Sequence, residues 1–357
     1  MLYTFYLVSP LLGGIFLILL GTGGLSTLIT LRLLDDGLPS LAIGLVSSMF
    51  MFGMFAGAMF THQLISAVGH VRAFATFGSI MSAATLAHGF YFDPFFWGFF
   101  RLAVGVCAVG MYVCTESWLN EKSDNSTRGQ VFCFYQMTVY LALALSQYLI
   151  ILSDTSSLIV LAVMSVLMSL AIVPVLATKV KAPPIPAPTR LRFIELWRTS
   201  PTGVIVCFTN GLILGAIFAL GPLFAQLKGL STPQISMFMS ALIFGGFLFQ
   251  WPIGKLSDRF DRRKVILVVS AGAALVGFFT LTINEGQNNF FIYIFAAVFG
   301  GCSYSLYPLA VAYTNDYLDS KLLVAGAGGL LMANGLGTTL GPLVAGLFIQ
   351  IMGTDGL

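Results

Sequence analysis

The sequence predicts an all-α polytopic membrane protein built from two related helical bundles. Three observations support this fold class. First, 57% of the residues are hydrophobic and 9% are charged, whereas about 25% of the residues of a soluble domain are charged. Second, the chain contains eleven apolar runs of about the 20 residues that a helix needs to cross a bilayer. Third, the two halves of the chain repeat one pattern of residues.

The eleven apolar runs are separated by polar breaks, and each is predicted to be one transmembrane helix. Lipid offers no hydrogen-bond partner to the backbone, so the runs must be helical. They cover residues 7–33, 40–68, 73–91, 95–118, 130–152, 156–178, 201–226, 233–256, 264–283, 290–314 and 322–351. The first run is too long for the core of a signal peptide and follows no basic segment, so it is predicted to be helix 1.

Positive charge is concentrated in the breaks that follow even-numbered helices. These breaks hold most of the 17 Lys and Arg residues, whereas Arg32 and Lys228 are the basic residues of the other breaks. Because basic loops stay in the cytoplasm, the even-numbered loops and the N-terminus are predicted to be cytoplasmic. We expect the protein to lie in the plasma membrane, which in bacteria is the inner membrane.

The longest polar break separates helix 6 from helix 7 and is rich in proline and basic residues. It is predicted to be a cytoplasmic linker, residues 179–200, in which "RFIELWR" forms a short surface helix. The linker joins a predicted N-terminal bundle, residues 1–178, to a predicted C-terminal bundle, residues 201–357.

Residues on the two sides of the linker repeat at a distance of 192 positions. Gly37 matches Gly229 and Gly53 matches Gly245 in one ungapped register, which continues to Arg72 and Lys264. Loop and helix positions agree in the same register. The chain therefore reads as one helical unit used twice, as a parallel repeat.

The stretch "GKLSDRFDRRK", residues 254–264, resembles the loop signature that the major facilitator superfamily carries between helices 2 and 3 or 8 and 9. The matching positions are Gly254, Leu256, Asp258, Arg259, Arg262, Arg263 and Lys264. "RLAVGV" and "GTTLGPLVAG" resemble elements of helices 4 and 11 in that family. "ESWLN", "TRGQ", "FQWPIG" and "LYPLAVA" are similar to bacterial YcaD-like transporters within it. The resemblance implies two pseudo-symmetric six-helix bundles, so that helix 12 is expected to be missing after the eleventh run.

Two positions depart from the family signature. Asp261 stands where the signature has its second glycine, which leaves the turn geometry there open. The first-half copy, "THQLISAVGHVR", has Ser66 in place of the aspartate, although it keeps Gly69 and Arg72. If this loop forms a latch between the two halves, we therefore expect its contacts to be strong in the second half and weak at Ser66 in the first.

The charged stretch has two interpretations, an anchor on anionic headgroups or a cytoplasmic gate. A carboxylate at the end of helix 8 could accept hydrogen bonds from the exposed N–H groups at a neighbouring helix N-terminus. The resemblance and the repeat place that neighbour at the start of helix 5, around residues 127–129, and imply contacts that stabilise the outward-facing state. The predicted gate residues are Gly254, Asp258, Arg259, Arg262, Arg263 and Arg128.

Helix 4 contains two charged residues within its apolar span, Arg101 and Glu116, which we predict as candidates for ion coupling. A charge at mid-bilayer costs roughly 2.5 to 3.5 kcal/mol on insertion scales. With Gly105 and Tyr112 they form one predicted polar stripe facing the cavity between the halves. They lie about 22 Å apart along the helix and cannot pair. Arg101 could snorkel to a membrane face, and Glu116 is either a gate partner of Arg128 or a proton-coupling carboxylate.

Polar residues in the apolar runs are candidates for solute binding or for hydrogen bonds between helices. Tyr112 and Tyr304 are 192 positions apart, so the repeat places them at equivalent depths. The candidate solute-binding residues are Tyr112, Tyr304, Gln136, Asn210 and Asn334.

Several function classes lack support in the sequence. The chain has no phosphate-binding loop of the G-x-x-x-x-G-K-[ST] type and no metal-ligand spacing among its three histidines. The five cysteines fall in apolar runs and are expected to be buried. We therefore expect no enzyme activity, no catalytic residues, no cofactor, no metal and no nucleic-acid partner.

The resemblance implies a secondary transporter that works by alternating access. Because the predicted cavity carries few charges, we expect a small neutral or amphipathic solute, with H+ as the expected coupling ion. The expected partners are this solute and the lipid bilayer, and the protein is expected to be a monomer. A lipid flippase and a non-transporting sensor or assembly protein on the same fold remain alternatives.

Overall fold

The computed structural model describes residues 2–122, 128–177, 193–281, 290–319 and 322–357. Within these ranges the chain is helical and contains no β-strand. The α-helices are α1 (Leu2–Gly23), α2 (Leu25–Asp35), α3 (Ser40–Val68), α4 (His70–Ala87), α5 (Pro94–Lys122), α6 (Arg128–Ser146), α7 (Leu158–Leu170), α8 (Ile172–Leu176), α9 (Phe193–Thr199), α10 (Pro201–Leu227), α11 (Thr232–Arg259), α12 (Arg262–Leu281), α13 (Phe290–Asn315) and α14 (Leu323–Met352). Two 3₁₀ helices cover Gln147–Leu152 and Gly353–Gly356.

Ten helical segments in the described part of the chain are long and apolar enough to cross a membrane. The protein is therefore an integral membrane protein with an all-α fold, as predicted. The predicted count of eleven spans is not confirmed, because α4, at the place of predicted helix 3, is not among the ten. Its 18 residues extend about 27 Å at 1.5 Å per residue, and its first turn contains His70 and Arg72.

Two predicted helices are interrupted. The run predicted as helix 6 is divided at Ala171 into α7 and α8. Pro174 lies just beyond this point, and its ring clashes with a straight continuation past the carbonyl of Leu170, which accounts for the break. The run predicted as helix 1 is divided at Gly24.

The chain separates into two compact units. The first unit comprises Met1–Asp36 and Met49–Pro186, and the second comprises Gly37–Ser48 and Ala187–Leu357. The start of α3 belongs to the second unit, where the Ser40 hydroxyl donates a 3.0 Å hydrogen bond to the carbonyl of Gly346. The domain boundaries predicted at residues 178 and 201 stay a prediction, and residues 179–192 of the linker lie outside the described part.

The packing inside each unit follows the predicted 192-residue register at α3 and α11, whereas the partner residues on α5 and α13 are 195 positions apart, so the predicted equivalent depth of Tyr112 and Tyr304 is not confirmed. In the first unit Gly53 of α3 lies against the carbonyl of Leu102 in α5. In the second unit Gly245 of α11, 192 positions later, lies against the carbonyl of Ala297 in α13. Glycine lets the two backbones approach in both units, because no Cβ stands between them. The two units are therefore pseudo-symmetric, as the repeat predicts.

The short helix α9 confirms the predicted helix within "RFIELWR". Its side chain Leu196 is fully buried and packs over Gly329 of α14, in a core cluster with Val204 and Ala310. Ile194 on the same helix is exposed. One leucine thus attaches the described end of the linker to the second unit.

Candidate functional site

The charged loop, residues 254–264, lies in the second unit. It comprises the last residues of α11, the connection at residues 260–261 and the first residues of α12. Arg262 lies at its centre: Nε is 2.9 Å from Asp316 Oδ2, and Nη1 donates a 3.0 Å hydrogen bond to Ser257 Oγ. Nη2 lies 3.4 Å from Asp258 Oδ1. One guanidinium therefore connects the end of α11 with the residue that follows α13.

The other predicted gate residues of this loop are less constrained. The side chain of Asp258 is 72% exposed, and Arg259 and Arg263 are also exposed. Their exposure leaves them accessible to a further partner. The Arg128 side chain and residues 123–127 lie outside the described part of the chain, so their predicted interaction with Asp258 stays a prediction.

The departure at Asp261 has a structural explanation. Its carboxylate oxygen Oδ1 accepts a 2.8 Å hydrogen bond from the backbone N–H of Arg263, in the first turn of α12. Aspartate is a preferred N-cap residue because it satisfies an orphan N–H group in this way. The equivalent residue in the first unit, Gly69, precedes α4 with φ +82°. The two copies therefore begin their next helix by different means, one by side-chain capping and one by a glycine turn.

A cavity of about 260 Å³ adjoins the charged loop within the second unit. Its polar lining includes Gln250, Asp258, Arg262 and Ser305. Gly254 also lines it, and a Cβ at Gly254 would meet no atom within 4 Å. In this conformation the signature glycine therefore faces open space and is not needed for packing.

In the first-half copy of the signature, Ser66 stands at the position of Asp258. The Ser66 hydroxyl donates a 2.8 Å hydrogen bond to the carbonyl of Gln63 in its own helix. A hydroxyl that is used within its own helix carries no charge to offer a partner. This contact fits the expected weakness of the first-half latch.

Three predicted residues of the first unit come together between α5 and α6. Glu116 is exposed, and its Oε1 accepts a 3.1 Å hydrogen bond from the hydroxyl of the buried Tyr135. Tyr112 lies near both Glu116 and Tyr140, and Gln136 shares a hydrogen bond with Tyr140. These tyrosines, one amide and one carboxylate form a continuous polar cluster.

The candidates of the second unit have different surroundings. Tyr304 packs its ring over Gly246 and makes an edge contact with Phe218 at 6.0 Å. The side-chain amide of Asn334 donates a 3.0 Å hydrogen bond to the carbonyl of Cys207 and so links α14 to α10. Asn210 is 0% exposed, and neither end of its amide has a partner among the described residues.

Arg101 is buried and does not face a cavity, as the predicted polar stripe would require. Its side chain is 2% exposed, so in this conformation it is enclosed by protein, and snorkelling to a membrane face stays a prediction. Nη2 donates a 2.8 Å hydrogen bond to Ser26 Oγ, and Cζ lies 4.6 Å from the ring centroid of Phe50. Gly105 faces the carbonyl of Phe50, so it packs against α3 and does not line a cavity. The neighbouring helices α2 and α3 cover this end of the stripe.

The interruption of the first predicted helix is a feature that the sequence reasoning missed. Next to it, Gln147 accepts a 2.8 Å hydrogen bond from the Thr27 hydroxyl and donates one of 3.1 Å to the carbonyl of Gly23. Gln147 itself begins a 3₁₀ helix where α6 ends. The "GTGG" sequence at residues 21–24 was the available signal, since paired glycines mark sites of helix bending.

The five cysteines differ in exposure. Cys133 is exposed, so the prediction that all five cysteines are buried is wrong at this position, and the other four are buried. Within the described ranges no three His, Cys, Asp or Glu side chains are grouped as a metal site would require.

A family model described as the Major Facilitator Superfamily matches residues 11–247 and 228–357 of the chain. The chain belongs to the major facilitator superfamily. It is accordingly a secondary transporter that carries a small-molecule solute in a membrane. The resemblance carried by the charged loop is thereby confirmed.

Relatives within the major facilitator superfamily cover most of the chain. An uncharacterized MFS-type transporter, YcaD, of Escherichia fergusonii is 29% identical over 345 residues, which is 96% of this chain and 89% of the relative. An uncharacterized MFS-type transporter of Enterobacter sp. (strain 638) is 28% identical over 351 residues, with the same coverage. The predicted similarity to YcaD-like transporters is confirmed.

Solved structures of superfamily transporters have the same fold. A variant of the nucleoside transporter NupG matches with a TM-score of 0.82 and 15% identity, over 97% of this chain and 92% of NupG. An inward-facing bacterial homolog of the human lysosomal transporter Spinster matches with a TM-score of 0.76 and 14% identity, over 98% of this chain and 83% of that one. At this identity the likeness concerns the fold alone.

Proposed function

We propose that the protein is a proton-coupled transporter that moves a small neutral or amphipathic solute by alternating access. The observation that carries this proposal is the polar cluster of the first unit, in which the carboxylate of Glu116 accepts a hydrogen bond from Tyr135 and lies near Tyr112, and Gln136 joins the cluster through Tyr140. Hydroxyls and amides suit a solute with few charges, and a lone carboxylate suits one proton. Tyr304, Asn210 and Asn334 are the proposed solute contacts of the second unit.

The proposed setting is the plasma membrane, the inner membrane in bacteria, with the N-terminus in the cytoplasm. The positive-inside distribution of Lys and Arg supports this orientation. The two halves, residues 1–178 and 201–357, are proposed to move as the two bundles of a monomer, with the linker between them.

The solute class can be tested by ligand-induced stabilisation of the purified protein. A ligand that binds the folded state increases the free energy of unfolding by about 2.7 kcal/mol at 100 times its Kd, and it thereby raises the melting temperature. We expect hits among neutral and amphipathic solutes, and nucleosides should be included because the similar NupG is a nucleoside transporter. Hits confined to polyanions would contradict the proposed class. Uptake of a hit into proteoliposomes would separate transport from binding alone.

The charged loop is proposed to be a cytoplasmic gate. Arg262 is fixed by Asp316 and Ser257, whereas Asp258 stays largely exposed. Its carboxylate could therefore accept hydrogen bonds from a helix N-terminus brought to it in the closed state. The proposed partner is the N-terminus of α6, which is predicted helix 5. Arg128, Arg259 and Arg263 are proposed to belong to the same charge network.

Asp258→Asn tests the gate. Hydrogen bonds to a charged group contribute about 1.5 to 3 kcal/mol, so we expect the cytoplasmically closed state to lose about 10- to 100-fold in population. Maleimide labelling of a cysteine introduced on the cytoplasmic side should become faster, and the solute exchange rate should change. Asp261→Asn is the matched control, because asparagine also caps a helix and should leave both rates unchanged. Unchanged labelling and transport in the Asp258 variant would contradict the gate.

A further inference from the structure

Arg101 is a buried cation for which the described residues supply no negative partner. Its guanidinium contacts one hydroxyl, that of Ser26, and one ring, that of Phe50. Its Nε is buried without a hydrogen-bond partner among the described residues. A guanidinium has five N–H donors and stays protonated in proteins. The charge therefore cannot be relieved by loss of a proton, and its donors are incompletely used.

The surroundings of Arg101 include a second buried cation, Arg32, and the buried imidazole of His88. The charges of Arg101 and Arg32 both act on the imidazole of His88, which is 1% exposed. Arg32 donates to the carbonyls of Thr155 and Ser157, and the negative charge of Asp36 acts on it as well. Arg101 has no equivalent carbonyl partner. The positive charge of Arg101 therefore remains for a bound anion to neutralise.

His88 has a second polar atom without a partner. Its Nδ1 lies 2.7 Å from the carbonyl of Ala84, so Nδ1 carries the proton and donates it. Nε2 is then a buried acceptor with no partner among the described residues. The imidazole lies beside the rings of Trp97 and Phe100, with centroids 5.8 and 5.9 Å away. Polar atoms without partners and aromatic rings thus occur side by side.

We propose that Arg101 binds a single carboxylate carried by an apolar or aromatic solute. A carboxylate accepts two parallel hydrogen bonds from a guanidinium, and such pairs are among the strongest in proteins. The rings of Phe50, Trp97 and Phe100 suit the apolar part of the solute, and His88 Nε2 is the second polar contact. This assignment rests on the proposed function and narrows its amphipathic solute to a monocarboxylate.

Access to Arg101 depends on the transport cycle. In the described conformation the residue is covered by Phe50 and Ser26, so the carboxylate would enter in another state of alternating access. A bound carboxylate would then replace the missing negative partner when the region closes again. Arg101 accordingly acts as an anchor for the solute during its passage.

Thermal unfolding of the purified full chain tests the assignment. Benzoate and octanoate are the probes, benzamide and octanamide are their neutral counterparts, and chloride against gluconate controls for a small inorganic anion. We expect both carboxylates, and neither amide, to raise the melting temperature. Arg101→Lys should weaken the apparent Kd at least about tenfold, because lysine lacks the planar fork. Arg101→Met should abolish the shift.

The melting temperatures of the variants without ligand provide an independent test. Burial of a charge without an ionic partner is costly, so Arg101→Met, which removes the charge, should melt at or above the wild-type temperature. A large fall would mean that Ser26 and Phe50 already satisfy the charge, which overturns the premise. Failure of Arg101→Met to fold would overturn the premise in the same way, and Arg101→Lys would then test carboxylate binding by itself.

Other outcomes would also overturn the assignment. These are equal shifts with carboxylates and amides, equal shifts with chloride and carboxylates, absence of any carboxylate shift in wild type, and full retention of the shift in both Arg101 variants. Failure of the proposed transport function is a separate result. It would appear as carboxylate binding without uptake, whereas uptake of neutral solutes without carboxylate binding would contradict the Arg101 site alone.

Discussion

Gly245→Val is expected to prevent the second unit from folding. A Cβ at this position would overlap the carbonyl oxygen of Ala297, and this oxygen is part of the backbone and cannot rotate away. The helices α11 and α13 would have to separate and lose their close packing. Overpacking a core costs about 1 to 3 kcal/mol when side chains can yield, so we expect a loss of more than about 3 kcal/mol here.

The measurement is the melting temperature and the monodisperse fraction of the purified variant in detergent. Gly254→Val is the matched control, since it makes the same change in the same helix at a position with no atom within 4 Å of a Cβ. Both variants alter helix propensity alike, so the difference between them isolates the contact with Ala297. Equal melting temperatures would contradict the close approach of the two helices. Gly53→Val tests the equivalent contact in the first unit, against the carbonyl of Leu102.

The fold could be predicted because its main determinants are local in the sequence. An apolar run must form a helix in lipid, whatever its neighbours are. The 192-residue repeat then gave the pseudo-symmetry, and the matched glycines Gly53 and Gly245 indeed take equivalent places in α3 and α11. The helix interruption at Gly24 escaped this reasoning, because its stabilising partner, Gln147, is more than a hundred residues away. The membrane span predicted at residues 73–91 is not confirmed, since α4 is short and begins with polar residues.

The candidate site could be predicted less completely. Helical periodicity grouped Arg101 with Glu116 on one stripe of α5, but periodicity gives no information on which neighbours cover each end. Contacts from Ser26 and Phe50 bury Arg101, whereas Glu116 is exposed and bonded to Tyr135. The capping role of Asp261 depends likewise on where the next helix begins. Such distinctions arise from tertiary packing, which a single sequence does not display.

Glu116→Gln is expected to abolish accumulation of the solute while exchange of solute across the membrane continues. We propose that the exposed part of Glu116 faces water in this conformation, so that its carboxylate takes up a proton there. Burial in another state would disfavour its charged form, so that it would cross as the neutral acid. One proton driven by about 100 mV supplies about 2.3 kcal/mol, enough for a solute gradient of about 50-fold. Glutamine keeps the shape and the neutral state, so this gradient should fall to about one.

Proteoliposomes with an imposed proton gradient provide the measurement, with uptake and counterflow of the same solute recorded in parallel. Tyr135→Phe is the companion variant, since it removes the 3.1 Å hydrogen bond and keeps the carboxylate, and it should retain accumulation. Accumulation and exchange together then distinguish the two roles of Glu116, as a proton carrier and as a gate partner. A proton carrier loses accumulation alone, because the neutral side chain completes the cycle without a proton. A gate partner of Arg128 loses exchange as well, because the charge that closes the gate is gone, and equal loss of both would contradict proton coupling through this residue.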